Sequence, residues 1–361
     1  MYIKKLKLDG FRNYDFAELE FSPLTNVIYG NNAQGKTNIL EAVYLFSQGR
    51  SHRAKTDKEL VNFERPAARL VIEFADSRRE YVGHMQIKKT GKKSVSVNHV
   101  HIQKLSKLMN YLNVVMFSPE DLDLVKGSPS ARRKFIDSSI SQLYPAYLAA
   151  LMEYNKALNQ KNSLLKTLRS KGTKKDLSLS VWNEQLAKTG AAVMKARIDF
   201  VAHINELARN IQAEISSESL SVKYLPSVRT DDITESVLYD YFERHAAREI
   251  DMGSSICGIQ RDDLEIFVND RENRLYGSQG QQRTAALSMK IAQSDYINDV
   301  RGEYPVLLLD DIMSELDINR RMYLAERIRD KQVLITSTDT DLINKTTDTR
   351  LFRVENGKVM L

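Results

Sequence analysis

Apolar residues recur at every second position in residues 1–8 and 18–21, which predicts two strands on either side of the turn Phe11-Arg12-Asn13-Tyr14. Thr25-Asn26-Val27-Ile28-Tyr29 is a short β-branched and aromatic run that reads as a third strand, and helical spacing follows in residues 38–46. Alternation returns in residues 68–74, 80–88 and 94–97, as in an antiparallel sheet. Val114-Val115-Met116-Phe117 has the unbroken apolar character of a buried strand, and Ser118-Pro119-Glu120-Asp121-Leu122 ends it with turn and capping residues.

At Ser128-Pro129, an N-cap followed by proline at the first helical position, the period changes to that of helices. Pro145 interrupts the first of them. Beyond it Leu151, Tyr154, Leu158, Leu165 and Leu168 keep helical spacing, with Lys161 in one seam position. After a polar loop at 170–176, a second stripe runs through Trp182, Leu186, Thr189, Val193, Ala196 and Phe200, and continues with one slip of register through Ile204, Leu207 and Ile211. Two seams joined by a short polar loop predict an antiparallel helical hairpin, a stubby arm rather than a long coiled coil. Residues 220–225 then read as a strand, 233–250 as a polar helix, 264–268 as a strand, Asn269-Asp270 as a turn and Leu275-Tyr276 as a second short strand. The expectation is an α/β domain whose mixed sheet comes from the two ends of the chain, 1–127 and 251–361, with residues 128–250 inserted as the helical arm.

Gly30-Asn31-Asn32-Ala33-Gln34-Gly35-Lys36-Thr37 sits between a predicted strand and a predicted helix. Two glycines four residues apart, followed at once by Lys and Thr, form the phosphate-binding loop pattern. Small residues free to take unusual φ let successive backbone N–H groups turn inward around an anion, at a helix N-terminus whose dipole favours negative charge. Lys36 is expected to reach the β- and γ-phosphates of ATP and Thr37 to give its hydroxyl to Mg²⁺, with Asn38 just after it in the candidate set. Arg12, just ahead of the loop-bearing strand, either reaches the nucleotide or belongs to a turn held by two core aromatics.

Pro305-Val306-Leu307-Leu308-Leu309-Asp310-Asp311 reads as a central strand delivering paired carboxylates at its C-terminal edge. Asp310 is expected to hold Mg²⁺, and Asp311 to orient or deprotonate the attacking water. Val333-Leu334-Ile335 is another buried strand, ending in Thr336-Ser337-Thr338-Asp339. Between these strands and the arm lies Ser278-Gln279-Gly280-Gln281-Gln282-Arg283, which leads into a helix with Ala285, Met289, Ala292 and Tyr296 on one face. It is a second anion-binding helix end, and one nucleotide does not need two from the same chain.

Composition narrows the setting. No run approaches a membrane-spanning length, the N-terminus lacks a signal-peptide core, and a single cysteine, Cys257, excludes an intrachain disulfide framework. A reducing cytoplasm is therefore expected. Net charge is +6 with a pI near 9.1, which permits nucleic-acid binding without establishing it. The positive residues cluster at 50–55, at the hairpin tip 88–93, at 132–134 and at 166–175. Each cluster is either solvated surface or a contact to DNA phosphates, and no recognition helix or base-stacking motif is evident.

The surplus of phosphate sites resembles the ATP-binding-cassette (ABC) family, in which each signature stretch completes the site of a partner subunit. By that resemblance residues 30–37 are the Walker A loop, Asp310 and Asp311 the Walker B pair, Ser278, Gly280 and Gln281 part of the signature, and Ser314-Glu315-Leu316-Asp317 the loop crossing a dimer interface. Taken with Gly49-Arg50-Ser51-His52-Arg53, Gly127, Arg132-Arg133 and Arg261-Asp262-Asp263, these motifs are similar, over nearly the whole chain, to the SMC-like recombination mediators of bacterial DNA repair. One departure is Cys257-Gly258-Ile259-Gln260, where that family usually carries Gly-Pro-His ahead of Arg-Asp-Asp. The resemblance implies an ABC-type P-loop ATPase head that uses ATP and Mg²⁺, forms a homodimer with ATP, and binds gapped or single-strand/double-strand junction DNA. It also implies partnership with RecR, and with RecO and RecA indirectly, in repair, replication restart and SOS induction. A transporter ATPase subunit is the competing reading. It fits poorly with the helical hairpin, the basic tips and the lack of a histidine after residues 333–335, where transporters place their switch residue. A small-molecule P-loop kinase would leave the signature stretch unused. Hydrolysis is expected to be slow, because Asp311 stands where many transporters have the longer Glu and Ser337 or Thr338 replaces the switch histidine.

Overall fold

The unbroken apolar runs of the sequence lie side by side in the computed structural model, which describes residues 1–173, 176–230, 232–338 and 349–360. Val114–Phe117, Val306–Asp310, Val333–Ser337, Thr25–Tyr29 and Arg350–Glu355 are parallel neighbours in that order, and Lys358–Met360 closes the edge as an antiparallel strand. Val306–Asp310 and Val333–Ser337 are buried at every position, which is why their sequences do not alternate. The helix Lys36–Gln48 follows Thr25–Tyr29 and ends at Gly49, whose φ of 68° supplies the left-handed cap.

That helix is apolar on several sides because a second sheet also packs on it. Six antiparallel strands run in the order Tyr14–Glu20, Tyr2–Phe11, Ala67–Ala75, Glu80–Lys88, Ser94–Val97, Val100–His101. Here burial alternates, apart from a register shift between Ile3 and Lys5. Leu6, Leu8, Leu70, Ile72, Met85, Ile87 and Val95 join Ile39, Val43 and Phe46 of the helix in one core. Gly83 is required at the closest approach, since a Cβ there would lie 2.1 Å from the Phe46 ring. These strands and helix belong to one compact unit, Met1–Asp121 with Lys290–Leu361.

The other unit is Leu122–Met289. Its helices Pro145–Ser170 and Ser178–Ser216 form the expected hairpin, and Glu235–Met252 packs on both. Lys161, the one polar residue in the seam, is fully buried and faces the equally buried Glu249 at 2.6 Å, with its ammonium 5.1 Å from the Phe242 ring centre. Glu249 also accepts hydrogen bonds from Ser255 Oγ and the Ile256 backbone N–H.

The boundary expected at residue 250 falls inside this unit. Asp263–Val268 does not rejoin the head sheet: it pairs with Leu220–Leu225 on one side and Arg271–Glu272 on the other, as a separate three-stranded sheet. The second short strand is Arg271–Glu272 rather than Leu275-Tyr276, which lies in the helical turn Asn273–Tyr276, closed by the Gly277 N–H on the Asn273 carbonyl.

Candidate functional site

The phosphate loop leaves the C-terminal edge of Thr25–Tyr29 and turns through Gly30 and Gly35 at φ of 148° and 115°. Both need glycine for space as well as for backbone freedom. A Cβ on Gly30 would lie 2.3 Å from the Val354 carbonyl oxygen, and one on Gly35 would lie 2.6 Å from the Asn13 amide. Gly30→Ala is therefore expected to push the loop off the Arg350–Glu355 strand and to weaken nucleotide affinity by about tenfold or more. Titration with a fluorescent ATP analogue measures this, and an unchanged affinity would refute it.

Lys36 is buried, and its ammonium donates to the carbonyls of Gly30 (2.7 Å) and Asn31 (3.0 Å). Burial lowers its pKa, while Asp311 and Asp310 act in the opposite direction. Next to it the Thr37 hydroxyl donates to Asp310 Oδ1 at 2.8 Å, across the sheet from strand to helix. Thr336 Oγ1 donates to the same oxygen at 2.8 Å and accepts from the Asp311 N–H at 2.9 Å. Burial raises the Asp310 pKa above the usual carboxylate value, with the two threonine hydroxyls opposing that rise. Asp311 has a φ of 51°, uncommon outside glycine, and caps the short helix Ile312–Glu315. The role of Thr336 is one that sequence reasoning missed. Only a β-branched hydroxyl at the end of a neighbouring buried strand hinted at it.

The tetrapeptide Phe11-Arg12-Asn13-Tyr14 buttresses the loop from the other sheet. Asn13 Nδ2 donates to the Gln34 carbonyl (2.8 Å), Asn13 Oδ1 accepts from Asn38 Nδ2 (2.8 Å), and the Tyr14 hydroxyl donates to the Gly35 carbonyl (3.0 Å). Arg12 does not point a free guanidinium at the loop. It is engaged by Glu41 through two bonds, 2.6 and 2.9 Å, and by the Glu59 carbonyl, because Glu41 is fully buried in the helix and needs a cation. Gln34 Oε1 accepts from the Asn356 N–H, and a cavity of about 270 Å³ opens here, lined by Gly30, Asn31, Gln34, Arg353 and Glu355 among others. Asn32 and Ala33 complete the loop tip, exposed to solvent.

Ser278, Gly280 and Gln281 lie in the second unit, at the start of the helix Gln279–Arg301. Ser278 and Gln281 form a reciprocal cap: the Gln281 N–H donates to Ser278 Oγ (3.2 Å) and the Ser278 N–H to Gln281 Oε1 (2.9 Å). Gln281 also donates to Glu218. Asp317 is likewise a capping residue, accepting from the Arg320 N–H, whereas Ser314, inside the helix Ile312–Glu315, donates its hydroxyl back to the Asp311 carbonyl.

The basic clusters differ in how much charge they leave exposed. Arg132 is buried in a two-pronged bond to Asp263 (2.6 and 2.9 Å), and Arg133 donates to the Asp262 carbonyl, so the 132–134 cluster is largely used inside its own unit. Asp262 also binds the buried Arg197, which assigns Arg261-Asp262-Asp263 a structural task. Gln260, at the departure from the expected Gly-Pro-His, is held between the Tyr154 hydroxyl and the Cys257 carbonyl. Lys93 is buried against Asp57 and the Gly49 carbonyl, which removes one of four lysines from the hairpin tip. Arg50, Arg53, Lys55 and Lys166 are exposed. Lys174 and Lys175 lie outside the described residues, as does Asp339.

The family described as the RecF/RecN/SMC N terminal domain matches residues 2–359. The "DNA replication and repair protein RecF" of Clostridium botulinum (strain 657 / Type Ba4) is 41% identical over 364 residues, covering 99% of both chains. Its counterpart in Clostridium tetani (strain Massachusetts / E88) is 42% identical over 366 residues, again with 99% of each covered. A solved structure of the "recombination mediator protein RecF-ATP in RecFOR pathway" superposes with a TM-score of 0.91 at 34% identity, over 99% of this chain and 97% of that one. The Smc head bound to the C-winged helix domain of ScpA aligns with a TM-score of 0.60 at 17% identity, over 100% of this chain and 97% of that one, a likeness of fold alone. The fold is thus an ABC-type ATPase head with a helical arm. With its phosphate loop, its paired acids and its full-length similarity, the chain belongs to the RecF family of SMC-like ABC ATPases.

Proposed function

We propose that the chain is an ATP-switched recombination mediator: two copies close head to tail over shared nucleotides and hold gapped or single-strand/double-strand junction DNA while RecA is loaded. RecR is its direct partner in this reading, RecO an indirect one, and the cytoplasm its compartment. The observation that carries it is the meeting of the Thr37 and Thr336 hydroxyls on Asp310 at the phosphate loop. ATP binding by a full-length relative of the same fold supports it. Among the described residues no helix is long and apolar enough to cross a membrane.

The residues present fit a magnesium nucleotide. Glycine is sterically required at both ends of the loop, and the chain offers one hydroxyl and one carboxylate oxygen side by side, few enough ligands for an ion that keeps waters and phosphate oxygens. When bound, magnesium ATP supplies a concentrated negative charge that two facing subunits can share. Lys36 exchanges its Gly30 and Asn31 carbonyl partners for phosphate oxygens, and backbone N–H groups of the loop receive the rest. Thr37 and Asp310 would hold the metal, with Thr336 fixing the carboxylate, and Asp311 would orient the attacking water or take its proton. Ser278 and the Gly280 region of the partner copy meet the γ-phosphate. Closure then needs intact ATP, because hydrolysis removes the shared charge.

Ser278→Arg tests this reading. It places a bulky cation at the shared surface, so analytical ultracentrifugation with ATP, Mg²⁺ and a gapped duplex is expected to show a monomer with ordinary ATP affinity and no stable DNA retention. A dimer as tight as the wild type's would sink the shared-site reading.

A further inference from the structure

The end of the antiparallel sheet beside the 88–93 hairpin carries an exposed surface apart from the phosphate loop. Phe63, in the loop ahead of Ala67–Ala75, is 98% exposed, so almost the whole phenyl ring stands in water. It is not a loose end. Lys89 Nζ donates to the Phe63 carbonyl at 2.7 Å, Asn62 Oδ1 accepts from the Glu64 N–H, and the Asn62 N–H donates to the Gly10 carbonyl. A rigidly held backbone presenting a bare aromatic ring is a contact waiting for a flat apolar partner.

The register shows what lies behind it. Ala67 is opposite Lys88, Arg69 opposite Gln86 and Val71 opposite His84, all on the outward face, while Leu70, Met85 and Ile87 point into the core. This face forms a groove of about 390 Å³ with Arg69, His84 and Gln86 among its walls, continuing through Ser94 to His101. Lys88, opposite Ala67, stands at the Phe63 end, and neither it nor Arg69 has a side-chain partner among the described residues. The acids of this region are Asp9 opposite Arg69, Glu64 beside Phe63, Glu73 further along the same strand opposite Lys5, and Asp15, which is paired with Arg65, so Arg69, Lys88 and Lys89 supply the positive charge at the Phe63 end.

We propose that this strip binds single-stranded DNA, with Phe63 stacking on an unpaired base and Lys88, Lys89 and Arg69 meeting backbone phosphates. An aromatic platform at the end of a basic sheet face with hydrogen-bonding side chains suits a single strand, whose bases expose their faces, and not a duplex, whose bases are already stacked. The assignment rests on the DNA-binding reading above and adds the site for the single-stranded arm of a junction.

Fluorescence anisotropy with labelled oligothymidylate and with a blunt duplex, using full-length protein with ATP and Mg²⁺, tests it. Phe63→Ala is expected to weaken oligothymidylate binding by about tenfold and Lys88→Ala with Arg69→Ala by a similar factor, with duplex affinity unchanged. Phe63→Trp in a Trp182→Phe background is expected to keep the affinity and to lose tryptophan fluorescence when the oligonucleotide binds. The proposal fails if Phe63→Ala leaves oligothymidylate affinity intact, lowers both affinities equally, or weakens only the capture of RecR, which would make the strip a protein interface. Wild-type protein that retains neither DNA would overturn the clamp reading itself, whereas ATP-dependent duplex retention with an indifferent Phe63 would remove this site alone.

Discussion

Asp311→Asn is expected to lower ATP turnover by about 10²- to 10⁴-fold, the usual weight of a general base, while leaving ATP affinity and the proposed ATP-dependent dimer intact. The substitution isolates the charge. Asp311 holds a φ of 51°, and its N–H is fixed on Thr336 Oγ1 at 2.9 Å. Asparagine tolerates that left-handed backbone about as well as aspartate, so the position of the side chain should survive. Single-turnover kinetics alongside nucleotide titration separates the two quantities. Residual turnover within a few fold of wild type would show that Asp311 does not act on the water, and weakened ATP binding would mean that its charge serves the ground state.

Lys161→Ala is expected to destabilise the second unit by about 3–5 kcal/mol, because it strands the carboxylate of Glu249 where it is fully buried. Both side chains are fully buried, and the Ser255 and Ile256 donors satisfy only part of the acid. The double replacement Lys161→Met with Glu249→Leu removes the stranded charge and is expected to recover most of the loss. Trp182, the single tryptophan, sits in the helix Ser178–Ser216 of the same unit, so its fluorescence during urea unfolding reads the effect directly. If Lys161→Ala melts like wild type, the pair is neither dry nor closely coupled.

Local signals made much of this architecture legible. The loop at 30–37, the buried strands around it and the helical hairpin follow from glycine spacing, unbroken apolar runs and helical periodicity, and each lies where those patterns put it. What stayed hidden depends on partners distant in sequence. Asp263–Val268 alternates as any strand would, and nothing in it says that Leu220–Leu225 is its neighbour, so local pattern points to a boundary at 250 while the compact unit runs to Met289. For Arg12 the sequence leaves open a nucleotide contact or a plain turn, and only the fold reveals Glu41 as its partner. Lys93, Arg132 and Arg133 counted as surface charge for the same reason. Phe63 is the opposite case: one aromatic in a polar loop reads as ordinary, and only its exposure singles it out.

The neighbours of the loop-bearing strand also set a timetable for synthesis. Thr25–Tyr29 is flanked by Val333–Ser337 and Arg350–Glu355, so its partners leave the ribosome about 300 residues after it does. At roughly 5–20 residues per second that interval lasts roughly 15–60 s, during which the future phosphate loop has neither the Val354 backbone against Gly30 nor Asp310 beside Thr37. A nascent chain is therefore expected to complete its phosphate site only when translation is almost finished, and a product cut short by a premature stop would lack it.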